Sequence, residues 1–189
     1  EAIEEASTRL LKYKEHFKLM GTDRNSYSKT DIEATFMRMK DDHMQNGQLK
    51  PAYNVQVSSE SQFVIHYTLH QTTNDLNTLK IHLNAFENLY KFLPQQLTAD
   101  AGYGSQENYE FLEQKQIDTY VKYNTFDKEQ GILKSKRKKI NEDFHRDNLF
   151  YNEELDQYTC PMGQVMEKIG ERKRKTKSGY LQTSSAYSA

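Results

Sequence analysis

One short segment concentrates groups able to handle a metal ion or a phosphate: Leu97-Thr98-Ala99-Asp100-Ala101-Gly102-Tyr103-Gly104-Ser105. Open α/β sheets present a metal-binding or catalytic carboxylate in this way, as an Asp at the C-terminal end of a strand, just before glycines that let the chain turn into a helix. A plainer role is open to the same residues, since either Asp100 or Ser105 would serve as the N-cap of the next helix. The histidines are the next candidates. His66 and His70 fall on one face of a strand, but with no third ligand nearby their spacing predicts a solvent-facing polar stripe rather than a metal site. Cys160 is the single cysteine, which excludes an internal disulfide framework and any zinc site built on two or more cysteines.

Charge supplies a second kind of chemistry. The net charge is −1 over 189 residues, yet residues 1–110 balance to −4 and residues 111–189 to +3. The positive charge is clustered in two runs. Lys134, Lys136, Arg137, Lys138 and Lys139 form the first; Lys168, Arg172, Lys173, Arg174, Lys175 and Lys177 form the second. Such runs suit a polyanion partner, or else belong to a solvated helix face and a charged, frayed end.

The elements that must position these residues follow from periodicity. Glu1 to Leu19 reads as one helix, with acids ahead of bases as the helix dipole favours. Gly21–Thr30 is a polar break, and 31–39 fits either a short helix or an irregular segment. Tyr53, Val55 and Val57 alternate with Asn54, Gln56 and Ser58, and after a turn at 58–61 Phe63, Ile65, Tyr67 and Leu69 alternate with polar partners, which predicts a β-hairpin. Leu76, Leu79, Leu83, Phe86, Leu89 and Leu93 then recur every three or four residues, a core-facing helix capped by Asn74 or Asp75 and stopped before Pro94. A strand ending at Asp100, a helix over about 105–114 and a strand at 117–123 complete the order β-β-α-β-α-β, a mixed α/β (α+β) sheet with helical crossovers. Beyond residue 124 the expectation is a basic helical stretch and a Lys-, Arg-, Ser- and Thr-rich tail. The boundaries are thus 1–49 for a helical or irregular lead-in, 50–124 for the core, and 125–189 for the basic extension. With 35% hydrophobic and 28% charged residues, the chain supports one modest core and no membrane span, and reads as soluble.

Two blocks carry a family resemblance. Lys40-Asp41-Asp42-His43-Met44-Gln45-Asn46-Gly47-Gln48-Leu49-Lys50-Pro51-Ala52-Tyr53-Asn54-Val55-Gln56 and the later Thr98-Ala99-Asp100-Ala101-Gly102-Tyr103-Gly104-Ser105 closely resemble the central region of bacterial insertion-sequence transposases of the DDE class. The similarity runs from about Leu19 to Cys160-Pro161-Met162-Gly163, the last four resembling the start of a cysteine-bearing insertion in relatives.

The resemblance implies a ribonuclease-H-like fold, here partial, in which Asp100 is the second catalytic acid and a ligand of Mg2+. It implies double-stranded DNA as partner, transposon ends and target alike, a parent that acts as a homo-oligomer on DNA, and a cytoplasmic, nucleoid-associated location. It tips both basic runs toward DNA phosphates. The family's first Asp lies in an Asp-Gly-Thr motif on the opening strand and its third acid in a Tyr-Arg-Glu-Lys pattern, and neither motif occurs here. Asp31, Asp41 and Asp42 stand in polar connections where acids are ordinarily solvated. The chain therefore reads as an internal, truncated piece of a DNA-cutting and strand-joining enzyme, catalytically incomplete alone. The rival readings are a non-catalytic nucleic-acid-binding remnant and another ribonuclease-H-like nuclease.

Overall fold

The computed structural model describes residues 2–22, 24–39, 42–130, 148–176 and 178–189. Two compact units divide the chain, Glu1–Tyr123 and Asn124–Ala189.

The first unit opens with helix α1 (Ala2–Met20), which has Glu4 and Glu5 in its first turn, Lys18 in its last, and no buried residue. Arg24 closes its C-terminal end. The guanidinium donates to the carbonyls of Met20 and Leu19, both at 2.8 Å, and reaches on to Ile32 O at 2.7 Å and Glu33 O at 2.9 Å. Orphan carbonyls at a helix end are thereby satisfied and tied to the next loop. The segment 31–39, which sequence left between helix and irregular chain, holds strand β1 (Thr35–Arg38), paired antiparallel with β2 (Leu49–Ala52).

Strands β3 (Asn54–Glu60) and β4 (Phe63–His70) form the expected hairpin, turning at Ser61 and Gln62 in the left-handed region. Its faces are the reverse of the usual order. Val55 opposite Leu69 and Val57 opposite Tyr67 all lie exposed, while Asn54, Gln56, Ser58, His66, Thr68 and His70 look inward. His66 and His70 are thus not the solvent-facing stripe their spacing predicts. They face helix α2 (Leu79–Tyr90), whose His82 is 6% exposed. His82 Nε2 lies 2.6 Å from Ser58 Oγ and Nδ1 lies 2.7 Å from Thr68 Oγ1, which in turn is 2.7 Å from His70 Nε2. One set of donors satisfies all three bonds: Ser58 O–H to His82, His82 N–H to Thr68, and Thr68 O–H to His70. Hydrogen bonding makes these side chains tolerable inside, whereas His66 Nε2 is buried with no hydrogen-bond partner and its ring packs 4.7 Å from that of His82.

The apolar stripe of α2 forms the core. Leu79 and Leu83 pack with Leu112 and Ile117, and Leu93, Leu97, Tyr103 and Phe111 close around them. Each fully buried side chain contributes about 2 kcal/mol by leaving water. Strand β5 (Gln96–Ala99) pairs in parallel with β6 (Asp118–Val121) through helix α3 (Gln106–Gln114). Lys80–Glu107 at 2.9 Å and Lys115–Glu87 at 2.8 Å link the two helices.

The elements follow as hairpin, helix, strand, helix, strand, a mixed α/β arrangement of small sheets. The single sheet expected from sequence is not formed among the described residues: β3–β4 and β5–β6 are separate two-stranded ladders. A cleft of about 540 Å³ lies along the β3 and β5 edges, floored by Leu83 and Phe86 of α2.

The second unit holds helix α4 (Phe126–Glu129) and a four-stranded antiparallel meander of β7 (Phe150–Asn152), β8 (Gln157–Thr159), β9 (Val165–Lys175) and β10 (Leu181–Ser188). The residues read from sequence as a frayed tail are therefore two long strands. They gain order from cross-strand pairing and a Gly179 turn (φ +88°), neither of which requires apolar alternation. Of the basic stretch read as helical over about 131–149, residues 131–147 lie outside the described residues.

Burial, then the neighbouring His66 and His70, hold His82 at about 4. Burial also lowers His70, against the raising influence of Asp75. The unfolded chain protonates near the ordinary value of 6.5 and the folded one does not, so stability is full above that pH and is lost as pH falls toward 4. We expect the unfolding free energy from urea titrations to be flat above pH 7 and to fall by about 2 kcal/mol between pH 6.5 and 4, solvent near the cluster moderating the full shift. His82→Gln should flatten that slope. An unchanged slope would remove His82 as its source.

Candidate active site

Asp100 follows the last residue of β5, exposed, and β5 brings it to the mouth of the cleft. Capping is divided between the two residues that sequence offers for it. Asp100 Oδ1 accepts the Gly102 N–H at 2.8 Å and caps the 3-10 turn Ala101–Tyr103, while Ser105 Oγ accepts the Asn108 N–H at 3.2 Å and caps α3. Asp100 is thus a cap of one short turn, and not of the helix.

A second carboxylate stands beside it. Asp75 opens the 3-10 turn Asp75–Asn77, for which Asn74 is the cap, its Oδ1 accepting Leu76 N–H at 2.9 Å. A methyl group on Gly102 would meet Asp100 Oδ1 at 2.8 Å and Asp75 Oδ2 at 3.4 Å, so both carboxylates border the small space over that glycine. Asp75 Oδ1 accepts from Asn54 Nδ2 at 2.7 Å and Gln56 Nε2 at 3.1 Å, and the Tyr103 hydroxyl donates to Gln56 Oε1. Burial, and then the charges of Asp75 and Asp100, push the Tyr103 phenol up to about 12, so it remains a donor at neutral pH. Asn108, 2% exposed, ties the two turns together by donating to Leu76 O at 2.9 Å and Tyr103 O at 2.8 Å.

Sequence reading treats Asp75 only as an alternative cap. Its partners are Asn54 and Gln56, two amides on the inward face of β3, and sequence offered no signal for it because that face is not readable from a period of two. The other acids stand elsewhere. Asp31 accepts the Tyr53 hydroxyl at 3.0 and 2.9 Å and the backbone N–H of Glu33 and Ala34 at 3.2 and 3.3 Å, which makes it a loop tie. Asp42 accepts Gly47 N–H at 2.6 Å. Asp41 lies outside the described residues, as do Lys134, Lys136, Arg137, Lys138, Lys139 and Lys177. Arg172, Lys173, Arg174 and Lys175 are exposed on β9, whereas Lys168 is paired with Asp156 at 3.0 Å. Cys160 is unbridged, and Cys160–Gly163 is the turn from β8 to β9.

A compact α/β unit that delivers an Asp at the end of a parallel strand, next to glycines and an open cleft, follows the pattern by which open α/β sheets present ligand-binding groups at the C-terminal ends of strands. The particular family is shown by comparison: residues 24–180 match the family described as Transposase DDE domain, and the chain belongs to it. No curated protein and no solved structure matches the chain. The family is that of transposases, with DNA as partner and a divalent metal, typically Mg2+, as the general cofactor. Among the described residues no group of three or more His, Cys, Asp or Glu side chains converges as a metal site would require. Asp75 and Asp100 alone fall short of a two-metal donor set. No helix among the described residues is long and apolar enough to cross a membrane.

Proposed function

We propose that this chain is the Asp100-bearing part of a bacterial DDE transposase catalytic domain whose parent cleaves DNA strands and joins them to a target. Asp100 is one of its metal-ligating, catalytic acids, and the basic residues Lys134, Lys136, Arg137, Lys138, Lys139, Arg172, Lys173, Arg174, Lys175 and Lys177 contact phosphates. The observation that carries this reading is the exposed Asp100 carboxylate at the end of β5, inside the family match and at the mouth of the cleft.

Mg2+, when bound, supplies Lewis-acid chemistry at phosphorus. The chain's own part is to hold Asp100 by the Gly102 N–H, to hold Asp75 beside it through the Asn54 and Gln56 amides, and to keep the Tyr103 hydroxyl as a donor on Gln56. The remaining acids come from segments flanking this one in the parent. One of these would be an extended strand pairing beside β5, as the ribonuclease-H-like reading requires.

The test uses the purified chain. It is expected to bind a 30-base-pair duplex without sequence preference, with a log-log salt slope of about −5 for five or six phosphate contacts. It should not cleave that duplex or transposon-end DNA in Mg2+ or Mn2+. A slope near zero would remove DNA as the partner. Cleavage that disappears in Asp100→Asn would show that acids within this chain, Asp75 first, complete the site.

A further inference from the structure

The second unit carries its positive charge on a rigid, directional support. β9 and β10 form a long ribbon, and its base is braced by Tyr158, whose ring centroid lies 4.7 Å from Tyr151 and 4.8 Å from Tyr187. Asp156 sits at that base. Its Oδ1 accepts from Tyr187 Oη at 2.5 Å and Tyr151 Oη at 2.8 Å, and its Oδ2 faces Lys168 Nζ at 3.0 Å. The Tyr187, Tyr151 and Lys168 donors hold the Asp156 carboxyl at about 2, charged at any ordinary pH.

Beyond the base, register sorts the side chains. In an antiparallel pair, directly opposed residues share a face, and successive residues alternate between faces. Arg172 opposes Ser184 and Arg174 opposes Gln182, with Gly170 opposite Ala186 below them. That face contains two guanidiniums, a hydroxyl, an amide and two small residues, and no acid. The other face opposes Glu171 to Ser185, Lys173 to Thr183 and Lys175 to Leu181, so each of its lysines shares the surface with a carboxylate or an apolar side chain. Neither Arg172 nor Arg174 has an acidic partner among the described residues.

We propose that the β9–β10 ribbon docks on duplex DNA chiefly by its Arg172, Arg174, Gln182 and Ser184 face, Lys173 and Lys175 adding weaker phosphate contacts from the opposite face. This deepens, and rests on, the reading of the chain as a DNA-handling protein. Charge complementarity selects a polyanion. Geometry selects the duplex, because a two-stranded ribbon fits the major groove, where the side chains of one face, about 6.8 Å apart along a strand, can reach its walls together. Arg also presents a planar fork that meets phosphate or a guanine edge bidentately, which Lys cannot do. Gly170 and Ala186 leave room for backbone to approach the groove wall.

The experiment compares two double variants of the full chain that lose equal charge, Arg172→Gln/Arg174→Gln and Lys173→Gln/Lys175→Gln. Binding to a fluorescein-labelled 20-base-pair duplex is followed by anisotropy across a salt series, with thermal melts confirming that both variants fold. The arginine pair should lose at least tenfold in affinity, with a salt slope shallower by about 1.8. The lysine pair should lose less than threefold. Equal losses, or a larger loss for the lysines, would overturn the face assignment while leaving DNA binding intact. Failure of the unsubstituted chain to bind duplex at low salt would instead overturn the DNA reading beneath it. Tighter binding of single strands than of duplex, sensitive to the arginine pair, would overturn the duplex as occupant.

Discussion

On the proposed function, Asp100→Asn is expected to lower metal-dependent strand cleavage by about a thousandfold or more in a polypeptide that carries the remaining acids, and to leave duplex binding within twofold. The size follows from chemistry. A ligand carboxylate contributes several kcal/mol of transition-state charge stabilisation through the ion it holds, and about 4 kcal/mol is a thousandfold in rate. Specificity follows from local structure, because the Asn side-chain carbonyl still accepts the Gly102 N–H that Asp100 Oδ1 accepts at 2.8 Å. The turn survives and only the charge is lost. Gel-based cleavage of end-labelled DNA in Mg2+, beside anisotropy of the same duplex, separates the two effects. Cleavage within tenfold of the original would exclude Asp100 as a ligand.

Gly104→Ala is the substitution expected to damage the first unit most. The backbone at Gly104 is extended, so its conformation alone would tolerate alanine. Space would not. A Cβ there meets the Lys122 carbonyl at 2.4 Å, Tyr109 Oη at 2.9 Å and the Tyr123 Cα at 3.1 Å, and two of these are backbone that cannot swing aside. Relief requires moving the end of β6 away from the turn after Asp100, at a cost of about 3 kcal/mol or more. Urea unfolding followed by circular dichroism should show a midpoint shift of that size with an unchanged slope. Gly163→Ala, where nothing lies within 4 Å but φ is +82°, should cost about 1 kcal/mol and serves as the comparison. A smaller effect at Gly104 than at Gly163 would contradict the close approach.

Much of this was readable from residues alone. Alternation at Tyr53–Ser58 and Phe63–His70 specified the hairpin, and the Leu79, Leu83, Phe86 spacing specified α2. Which hairpin face turns inward was not readable, because a period of two defines both faces and names neither. The choice is made by His82 and Asp75, which arrive from the next element and hydrogen-bond Ser58, Thr68, Asn54 and Gln56. Asp75 was hidden for a related reason. Asn74 and Asp75 are equally good caps, and only the amides across the hairpin decide which one faces them. β9 and β10 escaped notice because Lys, Arg, Ser and Thr carry no burial pattern, and their order comes from each other.

A ladder divided down its middle also bears on timing. β3 and β5 each keep one edge along the cleft, and α2 already supplies its floor. On the function proposed above, the segment that pairs beside β5 brings an acid with it, so the sheet closes and the site gains its missing charge in the same event. On that reading, no state with the cleft open would hold the acids needed to cut. The arrangement is then an interlock, in which closure of the sheet and the capacity to cut arrive together.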